Sequence, residues 1–419
     1  MHNRKYQRNL SSKISTMLRY YQRGGLALVT RKILNKTGLL RWNYKAKLET
    51  ILQCHKGKVI IIVPPFIAWN IPLYQRPQHL ATNLAKQGFL YFFCTTDGIY
   101  EEINGFIEVS NGCYVTDQLE LLSRIEGKVI HLYSNDNRNL IPQIMQITKN
   151  CDILLYDYID EIHEDISRTT ISNSCIEKHK FLINHPNSIV TTSATKLTEN
   201  VLNINPKKAP ILVTNGVEVE HFSTTENIGF PPDALKDIIA SGDKIVGYFG
   251  AMAKWFDYEL VKKIAIEKEY QICLIGWEYD ESLNKSGISD FENIHIIGSV
   301  DYRVLPNYAR YFNVAIIPFL INEITESTSP IKLFEYMALQ KPIVTTDLPE
   351  CRKYESAIVA INHADFLAKL RFAFSLTEDK EYLKILAKEA NENSWINKAK
   401  LIANAINLAS PQPKNQVTV

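Results

Sequence analysis

Short apolar runs rich in Val and Ile, at 58–63, 90–94, 128–133, 153–156, 188–192 and 211–213, alternate with stretches whose apolar residues fall at helical spacing. Continuous runs of this length suit strands covered on both faces of a parallel sheet. The pattern starts afresh at 245–249 and continues through 271–275, 294–297, 314–318 and 343–346. Pro64-Pro65 ends the first run, Arg76-Pro77 opens a helix and Gly88 closes it, so a β-loop-α-β unit is complete by residue 95. The expected fold class is therefore α/β, with two Rossmann-like domains.

The stretch 325–346 carries the most chemistry. Ser329-Pro330 predicts a helix start, because a serine hydroxyl caps free N–H groups and proline suits the first helical position. Ile331, Phe334 and Ala338 share one face, whereas Lys332 and Glu335 lie three apart on another, close enough to act on one ligand. A lysine in the first turn opposes the helix dipole unless an anion is bound there, and a nucleotide diphosphate is such an anion. Glu335, one turn on, is then placed to accept from two ribose hydroxyls. Spacing alone fits an ordinary exposed ion pair as well.

Composition narrows the class. The 419 residues are 46% hydrophobic and 22% charged, enough for two full cores. Net charge is +2, yet residues 1–50 hold twelve Lys or Arg against Glu49, a net of +11, which leaves −9 for the remainder. Within that basic arm Leu26, Val29, Ile33, Thr37 and Leu40 approximate one helical stripe. Either the stripe lies on an anionic membrane surface or it docks on the protein's own body. No apolar run is long enough to span a bilayer and no signal-peptide pattern opens the chain, so a cytoplasmic protein, peripheral on the inner face of the membrane in the first of these readings, is expected. Seven cysteines without a C-x-x-C pair argue against disulfides and a structural zinc. Nucleic acid is not an expected partner, since no known binding module follows the arm. Neither G-x-G-x-x-G nor a P-loop occurs, which removes the main support for hydride transfer or a P-loop nucleotidase, and no Asp-x-Asp offers a diphosphate-bound metal.

The segment Ser329-Pro-Ile-Lys-Leu-Phe-Glu-Tyr-Met-Ala-Leu-Gln-Lys-Pro-Ile-Val344 resembles the donor-binding segment of GT-B glycosyltransferases similar to family 4, which are retaining and use sugar nucleotides. Tyr74-Gln-Arg-Pro-Gln-His79, the Tyr156-Asp-x-x-Asp-Glu161 cluster and the Asn215-Gly-Val217 turn also resemble bacterial cell-surface polysaccharide members. The resemblance implies that the helix start with Thr328, Ser329 and Lys332 holds the donor diphosphate, that Glu335 binds its ribose, and that Gly250 and Lys254 complete the donor site. It implies His131 at the donor sugar. The family's usual first glutamate is Ser327 here, and Glu326 beside it becomes the candidate catalytic carboxylate. Trp69, Arg76 and Asp160 are the acceptor candidates; Arg76 and Asp160 equally suit a surface helix start and a helix N-cap.

The expected organisation is a basic arm at 1–50, an acceptor domain at 51–225, a linker at 226–243, a nucleotide-sugar domain at 244–395, and a crossover helix and tail at 396–419. The expected activity is metal-independent transfer of a hexose-like sugar from a nucleotide sugar to a surface polysaccharide or lipid-linked glycan, with no separate cofactor. Ser327, and Ala251 where the family has an arginine, keep open a non-catalytic GT-B module in a membrane-docked assembly complex; a GT-B sugar-nucleotide epimerase, which needs no acceptor, is a third reading.

Overall fold

The computed structural model describes residues 41–71, 74–95, 103–167, 170–223 and 231–410. The stripe from Leu26 to Leu40 and the tail beyond residue 410 lie outside these.

Fourteen described strands form two sheets. The first contains β1 (Ile60–Val63), β2 (Leu90–Cys94), β3 (Phe106–Ser110), β4 (Cys113–Thr116), β5 (Lys128–Tyr133), β6 (Cys151–Tyr158), β7 (Ser188–Thr192) and β8 (Ile211–Leu212). Their order is β3-β4-β2-β1-β5-β6-β7-β8, parallel except for the β3 edge, which runs antiparallel to β4. The second contains β9 (Lys244–Phe249), β10 (Tyr270–Ile275), β11 (Ile294–Gly298), β12 (Val314–Ile317), β13 (Ile343–Thr346) and β14 (Ala357–Ala360), ordered β11-β10-β9-β12-β13-β14 and wholly parallel. The central strands β1, β2, β5 and β12 are buried along their entire length, as runs without polar alternation require.

Three boundaries differ from expectation. The helix Arg41–Cys54 runs through the expected end of the basic arm, because Leu48, Ile51 and Leu52 are buried in the core of the first sheet. The second half of the expected linker is folded: Leu235 and Ile238, on a 3-10 turn and the helix Lys236–Ala240, are buried against the second sheet. The last helix, Trp395–Ala409, starts one residue earlier than 396 and buries Trp395, Ala399, Ile402 and Ile406 with Leu80 and Leu84 of the helix Arg76–Lys86. The helix Trp395–Ala409 thus packs on the first half of the molecule. The chain's return crossing runs beside the outgoing one, Val217 N–H donating to Asn393 O and Trp395 N–H to Val217 O. Gly216 is required there, since a Cβ would stand 2.5 Å from Asn393 O.

Candidate active site

A cleft of about 420 Å³ opens between the sheets, lined where strands end: Ser134 and Asn135 after β5, Asp160 after β6, Gly250 after β9, Trp277 after β10 and Phe319 after β12. The carboxyl ends of parallel strands leave such a crevice because the chain must turn away from the sheet there.

The second-domain wall is the start of the helix Ile331–Ala338. Ser329 does not cap it. Pro330 takes the cap position and no side chain caps the helix, while Ser329 is drawn across the cleft: its Oγ accepts from Asn215 N–H (3.2 Å) and its carbonyl from Asn215 Nδ2 (2.7 Å). The first turn is therefore left without a side-chain acceptor at the point where an anion would sit. Lys332 lines the cleft with its Nζ 4.8 Å from the Phe319 ring centre and 5.3 Å from that of Tyr248, a cation held over two aromatic faces. Gly250, at φ +138°, makes room for it, since a Cβ at that position would stand 2.9 Å from Lys332 Cε. Glu335 also lines the cleft and is only 5% exposed. Burial lowers the Lys332 ammonium to about 8 against the pull of Glu335, and burial raises Glu335 to about 8 against Lys332. Thr328 reaches the cleft, but its hydroxyl donates to Ile324 O (2.8 Å).

Three expected site residues are placed elsewhere. His131 is 0% exposed within β5, its Nδ1 2.9 Å from Tyr91 Oη and its Nε2 3.8 Å from Asp157 Oδ2. Its strand runs on to Tyr133, so Ser134 and Asn135 reach the cleft instead. Burial holds this imidazole below its usual pKa despite Asp157. Lys254 is 61% exposed and pairs at 2.7 Å with Asp165 of the first domain, outside the cleft lining. Glu326 closes the short helix Glu323–Glu326 and is not among the residues lining the cleft, whereas its neighbour Thr325, held in the Asn322 capping box, is.

The first-domain wall also departs from expectation. Trp69 is buried edge-on to Tyr74 and Phe93, outside the lining. Arg76 borders the cleft, but its guanidinium is committed to Asp157 at 2.8 and 2.9 Å and to Thr214 O and Asn215 Oδ1, both at 3.2 Å. Burial alone would raise Asp157; Arg76 and His131 hold it well below the carboxylate range. Asp160 faces the cleft with no described donor to its carboxylate, and burial, with Asp157 and Glu161 nearby and Arg76 opposing, lifts it to about 7.

Spacing did not single out the residues that join the walls. Glu161 accepts from Tyr158 Oη (3.0 Å), Asn200 Nδ2 (3.0 Å) and, across the cleft, Ser327 Oγ (3.1 Å). Tyr279 Oη donates to Ile166 O at 2.6 Å. The acidic cluster after β6 was visible in sequence; which carboxylate faces the cleft and which faces protein depends on distant partners, Arg76 81 residues from Asp157 and Asn200 and Ser327 39 and 166 residues from Glu161. A smaller apolar cavity of about 240 Å³, lined by Ile67, Ile71, Ile275, Val300 and Leu305, adjoins the cleft at Gly250 and Trp277.

Comparison with known proteins bears on both halves. Residues 243–373 match the family model described as glycosyl transferases group 1. TuaH of Bacillus subtilis (strain 168), whose name assigns it as a glycosyltransferase to teichuronic acid biosynthesis, is 27% identical over 191 residues, 44% of this chain and 47% of that protein. The chain therefore aligns with about half the length of this relative. Among solved structures, HepE of Anabaena in complex with UDP and glucose superposes with a TM-score of 0.59 at 12% identity, covering 84% of this chain and all of that one. A trehalose-6-phosphate structure from E. coli bound with UDP-2-fluoro glucose gives 0.60 at 10% identity, covering 85% and 100%. The architecture shared with these structures is GT-B.

Proposed function

We propose that this GT-B chain is a glycosyltransferase of cell-surface polysaccharide assembly that takes its sugar from a nucleotide sugar. The observation that carries the reading is the joint placement of Lys332 and Glu335 beside an uncapped helix start in the interdomain cleft. The helix start and Lys332 neutralise the diphosphate as it departs, doing with fixed dipoles and one cation what a metal does elsewhere, so no metal or separate cofactor is required. Glu335 receives the ribose hydroxyls. The group 1 family match, the teichuronic acid relative and the complexes with UDP and glucose and with UDP-2-fluoro glucose support the same assignment. We take the transferred group to be a hexose and the mechanism to be retaining, with the donor phosphate oxygen receiving the acceptor proton, as the resemblance of the 329–344 segment implies.

Titrating UDP, GDP and dTDP into the full chain tests this. One of them should bind, and Glu335→Ala should weaken that binding by at least ~1 kcal/mol for the lost hydrogen bonds. If none binds, or the substitution changes neither binding nor turnover, the reading is wrong.

A further inference from the structure

The helix Thr195–Ile204 of the first domain begins without a cap of its own. Its cap position is Ala194, extended at φ −144° and ψ 156°, and an alanine offers no side-chain acceptor to the free N–H groups of a first turn. Ala194 is buried in the core of the first sheet, where a larger capping side chain would have to displace its packing. The acceptor comes from the other domain. Glu350, four residues past the end of β13, is only 2% exposed, and its Oε1 accepts from Thr195 N–H at 2.8 Å. Lys353 completes the contact, its Nζ donating to the two Glu350 oxygens at 2.6 and 2.7 Å and to Thr195 Oγ1 at 2.6 Å. Leu348 and Cys351, on either side of Glu350, are buried in the core of the second sheet and fix where the carboxylate stands. A carboxylate is also the charge that a helix N-terminus favours.

The helix that receives this cap supports the first-domain wall of the cleft. Directly before it, Ser193 N–H donates to Tyr158 O at 3.1 Å and Ser193 Oγ to Ile159 O at 2.6 Å, which secures the backbone leading into Asp160. Further along, Asn200 Nδ2 donates at 3.0 Å to Glu161 Oε2, the carboxylate oxygen that also accepts from Ser327 of the second domain. Ile159, Asp160 and Glu161 all line the cleft, so a shift of the helix start is passed on to the wall. We infer that Glu350 is a positioning residue: by capping a first-domain helix from the second domain, it holds the two cleft walls in register for sugar transfer. The consequence for transfer rests on the glycosyltransferase reading, whereas the registration does not.

Hydrogen–deuterium exchange on the full chain, without nucleotide, tests the registration away from the contact itself. The reporter is the Asn215 amide, which donates to Ser329 Oγ across the cleft and belongs to neither the helix nor the Glu350 segment. Glu350→Ala removes the acceptor. Thr195→Pro removes the donor and the hydroxyl that Lys353 reaches, yet proline suits the first position of a helix and the extended Ala194 suits a following proline. Each variant should speed exchange of the Asn215 amide at least ~3-fold, and the double variant should do no more than either alone, since both delete one contact. Glu350→Gln, which keeps an acceptor oxygen, should retain most of the protection. Turnover should fall at least ~5-fold in Glu350→Ala and Thr195→Pro while UDP affinity stays within ~2-fold. The inference is wrong if Thr195→Pro leaves Asn215 exchange unchanged, or if Glu350→Ala alters exchange only within residues 195–204, which is the signature of a local cap. Failure of every nucleotide to bind would overturn the glycosyltransferase reading and leave the exchange result as it is, so the two fail separately.

Discussion

Asp157 and Asp160 lie three positions apart, yet their surroundings move their protons in opposite directions. Asp157 is buried against a bidentate guanidinium and stays ionised, whereas Asp160, partly exposed at the cleft and without a described donor, rises to about 7. Arg76→Ala would leave a buried carboxylate unpaired and should cost about 3–5 kcal/mol in denaturant unfolding. Asp160→Asn should instead stabilise. An acid whose folded pKa lies above its unfolded value loses stability as pH rises from about 4 to about 7, so the gain from the substitution should be larger at pH 8 than at pH 5. Thermal melts at the two pH values read this directly. At the facing wall, Lys332 and Glu335 both sit at about 8 in the free protein. Bound diphosphate holds the lysine protonated, so affinity is complete below that value and falls as pH climbs through it. Ionisation of Glu335 in the same window adds negative charge and acts in the same direction. Calorimetric titration of UDP from pH 6.5 to 9.5 should show the decline, and Lys332→Met should flatten most of it while lowering affinity ~10-fold at pH 7.

At the scale of elements, the site depends on two strand ends where a side chain would be in the way. Gly276 N–H donates to Gly298 O, and a Cβ on Gly276 would stand 1.9 Å from Gly250 O. Gly250 clears the path of Lys332. Gly250→Ala combines a positive φ with that clash, costs roughly 1–3 kcal/mol, and should weaken UDP more than it lowers thermal stability, because Lys332 is what gets displaced. The strands β2, β5, β7 and β13 were legible to the residue because buried parallel strands write themselves as unbroken apolar runs. The strands β3, β4 and β14 were not. Most of β3 is an exposed edge with polar residues interspersed, and β14 is four small or aliphatic residues half covered by the sheet. Lys332 and Glu335 were legible because helical spacing puts them together locally. The misplacement of His131, Lys254 and Trp69 has the opposite origin: whether a strand-end or loop residue reaches the cleft is decided by partners such as Asp157 and Asp165, which no local pattern identifies.

Across the whole molecule the cleft is defined by contacts of very different worth. Lys254 to Asp165 is a solvent-exposed pair, with the lysine 61% exposed, and such pairs contribute little. Asn215, by contrast, makes two hydrogen bonds to Ser329 directly before the Lys332 helix, and its Oδ1 also receives Arg76 Nη1. Asn215 thus connects the buried Arg76–Asp157 pair of the first domain to the Lys332 helix of the second. Only one of its bonds to Ser329 uses the side chain, so Asn215→Ala removes that bond and the Arg76 contact while leaving the backbone N–H in place. Losing two bonds of this kind should cost ~1–3 kcal/mol, felt as looser registration between the walls. On the proposed reading UDP is held by the second-domain wall alone and should lose little affinity, whereas sugar transfer needs both walls aligned and should fall ~10-fold or more, since small misplacements of reacting groups are costly. Lys254→Ala should leave both quantities within about twofold. Parallel measurement of UDP affinity and turnover in the two variants separates a hinge that registers the substrates from an ion pair that merely spans the gap; equal effects of Lys254→Ala and Asn215→Ala on turnover would show that the walls are registered by surface charge instead.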